Sequence, residues 1–348
     1  MNPYVLTIMI MSLGLGTTIT FASSHWLLAW MGLEISTLAI IPLMAQHHHP
    51  RAVEATTKYF LTQATAAALM LFAATSNAWL TGQWEIQQLS HPTAAAVTML
   101  ALGLKMGMAP MHFWLPEVLQ GLDLTTGLIL STWQKLAPMI LIYQLAPNVN
   151  QSLITTMAIA SALVGGWGGL NQTQLRKLLA YSSIAHMGWM MMVLKYMPNL
   201  MLLNLTIYII MTSATFMALK MAASTNINTL AMGWTKAPIL TTLIMMTMLS
   251  LGGLPPLTGF MPKWLILQEL TKQGMPMTAT LMAMAALLSL FFYLRLCYAM
   301  TLTISPNTNN TKTPWRLKST QTTMPLSIMI IMTMLLLPMT PTAMAMMT

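Results

Sequence analysis

The chain has 348 residues, of which 56% are hydrophobic and 6% charged, against about 25% charged in an ordinary soluble domain. A soluble globule is excluded, and 15 Lys+Arg against 6 Asp+Glu, a formal charge of +9, is too sparse for a nucleic-acid surface. A membrane span takes about 20 mostly apolar residues, so this length allows roughly ten to twelve spans with short loops, and function has to sit inside the bilayer. The lone cysteine, Cys297, excludes disulfides, Cys-ligated zinc and iron–sulfur clusters.

In chain order, the opening MNPYVLTIMIMSLGLGTTITF carries no basic run and no small-residue cleavage site, so it reads as a first span of the mature chain. Polar, Pro and Asn clusters divide the chain into eleven expected spans, near 3–22, 25–45, 57–80, 92–115, 124–146, 150–170, 174–195, 199–221, 238–268, 276–300 and 324–345. An odd number puts the termini on opposite sides, and the loop charges follow that alternation. Nine basic residues (Arg51, Lys58, Arg176, Lys177, Lys220, Lys236, Lys312, Arg316 and Lys318) share the amino-terminal side, against Lys195 and Lys272 on the other. The expectation is an all-α, polytopic membrane protein with its amino terminus on the positive side, cytoplasm-like or matrix.

Spans four and nine share a peculiarity. The fourth reads LALGLKMGMAPMHFWLPEVLQ and the ninth LSLGGLPPLTGFMPKWLILQEL. Proline removes an intrahelical hydrogen bond, and in lipid the freed carbonyls need other partners or a wet cavity. Both are expected to be broken helices around a polar interior. They lie five spans apart, which suggests two five-helix units, the second inverted, as in secondary transporters. The expected organisation is therefore one integral-membrane domain, 1–348, with a first repeat over about 1–146, a second over about 150–300 and an appended helix over about 324–345.

Five ionisable residues remain inside the spans: Glu34, Lys105, Lys135, Lys263 and Arg295. Glu34 lies roughly 13 Å from the water at ~1.5 Å per residue, too deep to reach it. Each such group costs at least ~2.5–3.5 kcal/mol on insertion scales, which makes it a functional candidate by default. A structural ion pair between Glu34 and one lysine is the plainer alternative. Three deep lysines against one carboxylate exceed what pairing can neutralise, however, and point to a hydrated row in which each charge state alters the proton affinity of the next. Arg295, near the basic end of span ten, is expected to snorkel.

Histidine relays protons near neutral pH. His186, beside Ser182 and Ser183 in AYSSIAHMGW, is either such a relay or a buried histidine bonded to a helix carbonyl. His112, just past Pro110, suits a cavity or interface role. The run His47-His48-His49 could bind metal, though interfacial solvation is the plainer reading. The glycines of GGWGG at 165–169 suit close helix packing. Neither a GxGxxG nor a GxxxxGK[ST] pattern follows a strand, so nucleotide and flavin binding are not expected.

The segments KMGMAPMHFWLPEV (105–118), LLAYSSIAHMGW (178–189) and LSLGGLPPLTGFMPKW (249–264), together with residues 1–44, carry a resemblance. They resemble the antiporter-like membrane subunits of respiratory complex I and of multisubunit cation/proton antiporters, over essentially the whole chain. The resemblance implies a subunit that couples electron transfer from NADH to ubiquinone to proton translocation. It implies Glu34 and Lys105 as a coupled ion pair, Lys135 as a central relay, Lys263 as the terminal site on the second broken helix, and His186 as a further relay candidate. It also implies the mitochondrial inner membrane, with the amino terminus in the matrix and the carboxyl terminus in the intermembrane space.

Neighbouring antiporter-like chains and other membrane-arm subunits are the implied partners, with membrane lipids such as cardiolipin and no nucleic acid. No cofactor is implied in this chain, NAD, FMN, iron–sulfur clusters and ubiquinone belonging to other subunits. Bacterial relatives have fourteen spans, and the chain resembles the animal mitochondrial versions that lack the first three. The 39 methionines fit that resemblance, because animal mitochondria read an isoleucine codon as methionine. Two alternatives stay open: a free-standing cation/proton antiporter subunit, and a purely structural segment of the membrane arm.

Overall fold

A computed structural model describes residues 2–46, 48–302 and 323–347. Among these residues the secondary structure is helical, with two isolated single-residue bridges and no strand. Proline and polar caps set where helices begin. In α1 (Pro3–Ala22), α2 (Trp26–Met44) and α3 (Pro50–Thr81) the capping side chains are Asn2, His25 and His49, each accepting a backbone N–H at 3.2 Å. Proline also opens α4 (Pro92–Met106), a position where its missing N–H costs nothing. The chain continues through α5 (Trp114–Gly121), α6 (Leu124–Leu145), α7 (Gln151–Gly169), α8 (Leu175–Val193), α9 (Pro198–Met221), α10 (Ile227–Ala231) and α11 (Gly233–Lys236). It ends with α12 (Pro238–Gly252), α13 (Phe260–Lys272), α14 (Pro276–Thr301), α15 (Met324–Leu335) and α16 (Thr340–Met347).

Each of the eleven expected spans meets a helix, or a broken pair: α4 with α5, and α12 with α13. Six described helices are individually long and apolar enough to cross a bilayer, or seven if the carboxyl-terminal pair bent by 67° counts as one. The difference from eleven has two causes. Two spans are split into short pieces, and α6 and α8 carry Gln134, Lys135, Arg176, Lys177 and His186 on otherwise apolar helices. Two boundaries move most: α5 carries the fourth span on to Gly121, past 115, and α3 starts at Pro50, not near 57, because Pro50 and the His49 cap nucleate it earlier. Arg51 and Lys58 therefore stand on helix α3 rather than in a loop. Lys58 Nζ lies 2.7 Å from Glu54 and 2.8 Å from Glu117 of α5. His47, Lys312, Arg316 and Lys318 lie outside the described residues.

The chain divides into two compact units, 1–161 and 162–348. In the first, α1 lies along α2 through a glycine crossing. A Cβ added to Gly32 would stand 2.8 Å from the Gly16 carbonyl oxygen and 2.7 Å from Thr20 Cγ2. Backbone cannot retreat as a side chain can, so Gly32→Val should destabilise the unit by ~1–3 kcal/mol, as overpacking does. Gly14→Ala, on the same helix with nothing within 4 Å, should leave it unchanged or stabilise it by up to ~1 kcal/mol. Thermal unfolding of the detergent-solubilised protein measures both. In the second unit GGWGG works as expected: a Cβ on Gly165 would reach 2.6 Å from the Ala185 backbone nitrogen and one on Gly169 2.7 Å from the Phe292 ring.

The two broken helices end alike. After Met106 and after Gly252 the chain turns through Gly107 at φ 75° and Gly253 at φ 81°, left-handed conformations that a side chain would strain. Breaks of equal length follow, over 107–113 and 253–259, before α5 and α13 resume. The carbonyls left over need donors. In the first break Leu104 O accepts from Gly107 N at 3.1 Å and from the Trp114 indole at 2.9 Å. In the second, the Gly252 carbonyl accepts from Lys263 Nζ at 2.8 Å. A lysine in the first turn of α13 thus satisfies the end of α12.

Candidate functional site

In the first unit Lys105 sits in the last turn of α4, just before the break, and Lys135 in the middle of α6. Their exposures are 6% and 3%. Both line one small cavity with Thr37 of α2, Tyr59 and Gln63 of α3, and Gln134 of α6, and the space open to the centre of a water molecule is about 10 Å³. Lys105 Nζ makes no hydrogen bond to the protein. Glu34, mid-way along α2 and part-exposed, does not line the cavity. Its Oε2 accepts from the Thr37 hydroxyl at 3.2 Å, and its charge acts on both Tyr59 and Lys105. Glu34 and Lys105 therefore form an electrostatic couple without direct contact, with Thr37 between the carboxylate and the cavity.

Gln134 ties this site to α2, its amide donating to the Ser36 carbonyl at 2.9 Å. Pro138, one turn on in α6 and also lining the cavity, has no N–H to give to the Gln134 carbonyl. The helix continues across this proline.

In the second unit Lys263, in the first turn of α13, and His186, in the middle of α8, line a cavity of similar size, about 10 Å³ for water centres. Ser182, Trp189, Ser289 and Tyr293 complete the wall. His186 is buried, with its ring centroid 5.4 Å from that of Tyr208. The Ser182 and Ser183 hydroxyls donate to Leu179 and Ala180 carbonyls at 2.8 and 2.7 Å, which leaves their lone pairs as acceptors. On its other side Lys263 borders a larger, mainly apolar cavity of about 240 Å³ walled by Trp189, Phe260, Trp264 and Leu287.

Arg295 lies near the end of α14, part-exposed. Its guanidinium donates to the Leu170 carbonyl just past the end of α7, and the side chain, only partly covered, borders an open cavity with Thr173, Gln174 and Asn226. A cation at a helix carboxyl end compensates the dipole and the unpaired carbonyls there. His112 lies in the first break, its Nδ1 3.3 Å from the Pro110 carbonyl and its ring centroid 4.2 Å from that of Phe113. His49 is a helix cap, and among the described residues no group of three His, Cys, Asp or Glu is placed to hold a metal.

Sequence reading did not single out Thr37, Tyr59, Gln63, Gln134, Ser289 or Tyr293. The signal for Gln63 and Gln134 was present, since an uncharged amide deep in an apolar span has to find partners. Which of them face a lysine depends on how α2, α3, α4 and α6 pack.

A family model described as NADH:quinone oxidoreductase/Mrp antiporter, TM, matches residues 23–289, and one described as NADH dehydrogenase subunit 2 C-terminus matches residues 290–344. The chain is 73% identical over 300 residues to NADH-ubiquinone oxidoreductase chain 2 of Formosania lacustris, and 73% identical to that of Salmo salar, covering 86% of each chain in both cases. Its fold is similar to a chain of respiratory complex I from Thermus thermophilus with bound aureothin. There the TM-score is 0.86 at 26% identity, over 99% of this chain and 80% of that one. A chain of the Mrp complex from Dietzia shares the fold alone, at a TM-score of 0.80 and 15% identity, over 97% of this chain and 76% of that one. With two family models meeting end to end along it and relatives this similar over most of its length, the chain belongs to the NADH-ubiquinone oxidoreductase chain 2 family of antiporter-like membrane subunits.

Proposed function

We propose that this chain is a membrane subunit of a proton-translocating NADH:ubiquinone reductase and carries protons through the row Glu34, Lys105, Lys135, His186 and Lys263. The observation that carries the reading is that Lys105 and Lys135 share one small cavity and His186 and Lys263 another, each beside a broken helix, with Glu34 bonded to Thr37 of the first cavity's wall. A buried ammonium is costly without a compensating charge, so a change of charge at Glu34 alters the cost of keeping a proton on Lys105. Lys105 then exchanges its proton with Lys135 across the shared cavity, and charge is handed on toward His186 and Lys263.

NAD, FMN, iron–sulfur clusters and ubiquinone bind to other subunits of the complex, and no redox step occurs on this chain. Its partners are neighbouring membrane-arm subunits and membrane lipids, cardiolipin among them. We place it in the mitochondrial inner membrane with its amino terminus in the matrix, an orientation supported by the excess of basic residues near the helix ends on that side.

Lys263→Met in the assembled complex, reconstituted in vesicles, is expected to lower both NADH oxidation and protons moved per NADH, with normal assembly. Unchanged proton stoichiometry would favour a structural role for this chain. Ion-driven proton exchange by the purified chain alone would identify a free-standing antiporter instead.

A further inference from the structure

Two buried donors in the first unit, on residues that line one cavity, have no protein acceptor. Lys105 Nζ has no hydrogen-bond partner, nor has Nε2 of Gln63, a residue of α3 that is 4% exposed. Both residues line the same cavity, whose space for water centres is about 10 Å³, near the volume that one bound water requires. Buried donors are rarely left unsatisfied, and two donors that cannot bond to each other need a shared acceptor. The cavity also carries groups that can accept. The Thr37 hydroxyl, whose proton is shared between the Glu34 carbonyl at 3.0 Å and Glu34 Oε2 at 3.2 Å, keeps lone pairs free, and Pro138 withholds the usual helical bond from the Gln134 carbonyl.

We propose that Gln63 is a positioning residue of the proton relay: with Lys105 it holds a single water that joins the Lys105 ammonium to the Thr37 hydroxyl and hence to Glu34. The water accepts from Lys105 Nζ and Gln63 Nε2 and donates to the Thr37 hydroxyl and the Gln134 carbonyl, completing four bonds. In the transfer step an N–H bond of Lys105 breaks as an O–H bond forms on the water. The water passes a different proton to Thr37 Oγ1 as the Thr37 proton moves to the Glu34 carboxylate, so atoms and charge balance with no outside reagent. Gln63 itself gains and loses nothing. Its part is to keep the water oxygen on the line between lysine and hydroxyl, where a misplacement of an ångström is costly. An amide suits this, because it donates without competing for the proton as a carboxylate or imidazole would.

This inference rests on the relay reading of Lys105, and its test separates the two. In the assembled complex, Gln63→Met keeps the side-chain volume and removes the donor. Pumping-linked NADH oxidation is expected to fall about three- to tenfold at normal assembly and, because proton transfer becomes slower, to show a larger H₂O/D₂O rate ratio than the wild type. The difference infrared spectrum between resting and turning-over complex is expected to lose one water O–H band that shifts in H₂¹⁸O. Restoring an amide donor with Gln63→Asn should recover part of the rate and of that band. If Lys105→Met impairs the enzyme while Gln63→Met leaves rate, isotope ratio and water band unchanged, the positioning role of Gln63 is overturned and the relay stands. If Lys105→Met is itself fully active and coupled, the relay falls and this inference with it. A Gln63→Met complex that fails to assemble is replaced by Gln63→Leu and Gln63→Asn, read by the same band. Loss of rate with the band intact in every variant counts against the proposal.

Discussion

Replacing Lys105 with methionine should lower NADH:ubiquinone turnover and proton pumping together by about ten- to a hundredfold, a rise of ~1.4–2.7 kcal/mol in the limiting barrier. The complex itself should assemble normally. The two halves of this expectation have different physical origins. Lys105 is 6% exposed and its ammonium finds no hydrogen-bond partner in the protein. A buried ammonium without a bonded partner is a stability cost that methionine removes, and Glu34, part-exposed and not bonded to Lys105, keeps its bond to Thr37. The rate depends instead on a group that can gain and release a proton beside Glu34, which methionine cannot do. Blue native gels report assembly, and quinone-linked oxidation with a vesicle pH probe reports turnover and pumping. Full coupled activity in Lys105→Met would reject the relay outright. Glu34→Gln should act in the same direction, since its charge reaches Lys105.

Gly259→Ala should do the opposite, removing the complex rather than its rate. Gly259 closes the second break immediately before α13. A Cβ there would fall inside the van der Waals envelope of the Ser250 carbonyl oxygen on α12, 2.9 Å from its carbonyl carbon and 3.0 Å from Met211 Sδ on α9. The methionine can swing aside, but the carbonyl belongs to a helix backbone and cannot. Relief requires α12 and α13 to separate, which also draws Lys263 from the Gly252 carbonyl, now 2.8 Å away. A cost above ~3 kcal/mol is expected, in the range reserved for core overpacking and broken buried networks. Abundance of assembled complex in isolated membranes is the measurement, and wild-type abundance would show that the break is looser than these contacts imply.

How far the site could be read without coordinates varies residue by residue. Glu34, Lys105, Lys135 and Lys263 declared themselves, because a charge in an apolar span is expensive wherever the helix turns. The two broken helices were also legible, from Pro and Gly placed where lipid would forbid a free carbonyl. For Arg295, distance along the helix suggested a reach toward the interface, while its particular partner there, the Leu170 carbonyl past the end of α7, depends on the fold. The start of α3 was misplaced because a His-Pro cap outweighed the polar residues that follow it.

Composition and the pattern of apolar runs by themselves determined that this is a helical membrane protein with ionisable groups at depth. Those conclusions follow from transfer free energies that each residue carries independently of its neighbours. Tertiary structure alone decided that Lys105 and Lys135 share one cavity, that Glu34 is bonded to Thr37 of its wall, and that Gln63 lines the same cavity as Lys105. It decided equally that Lys263 and His186 share another. Such pairings depend on the rotation and close approach of helices far apart in sequence, set by contacts such as Gly16 with Gly32, and no local pattern encodes them.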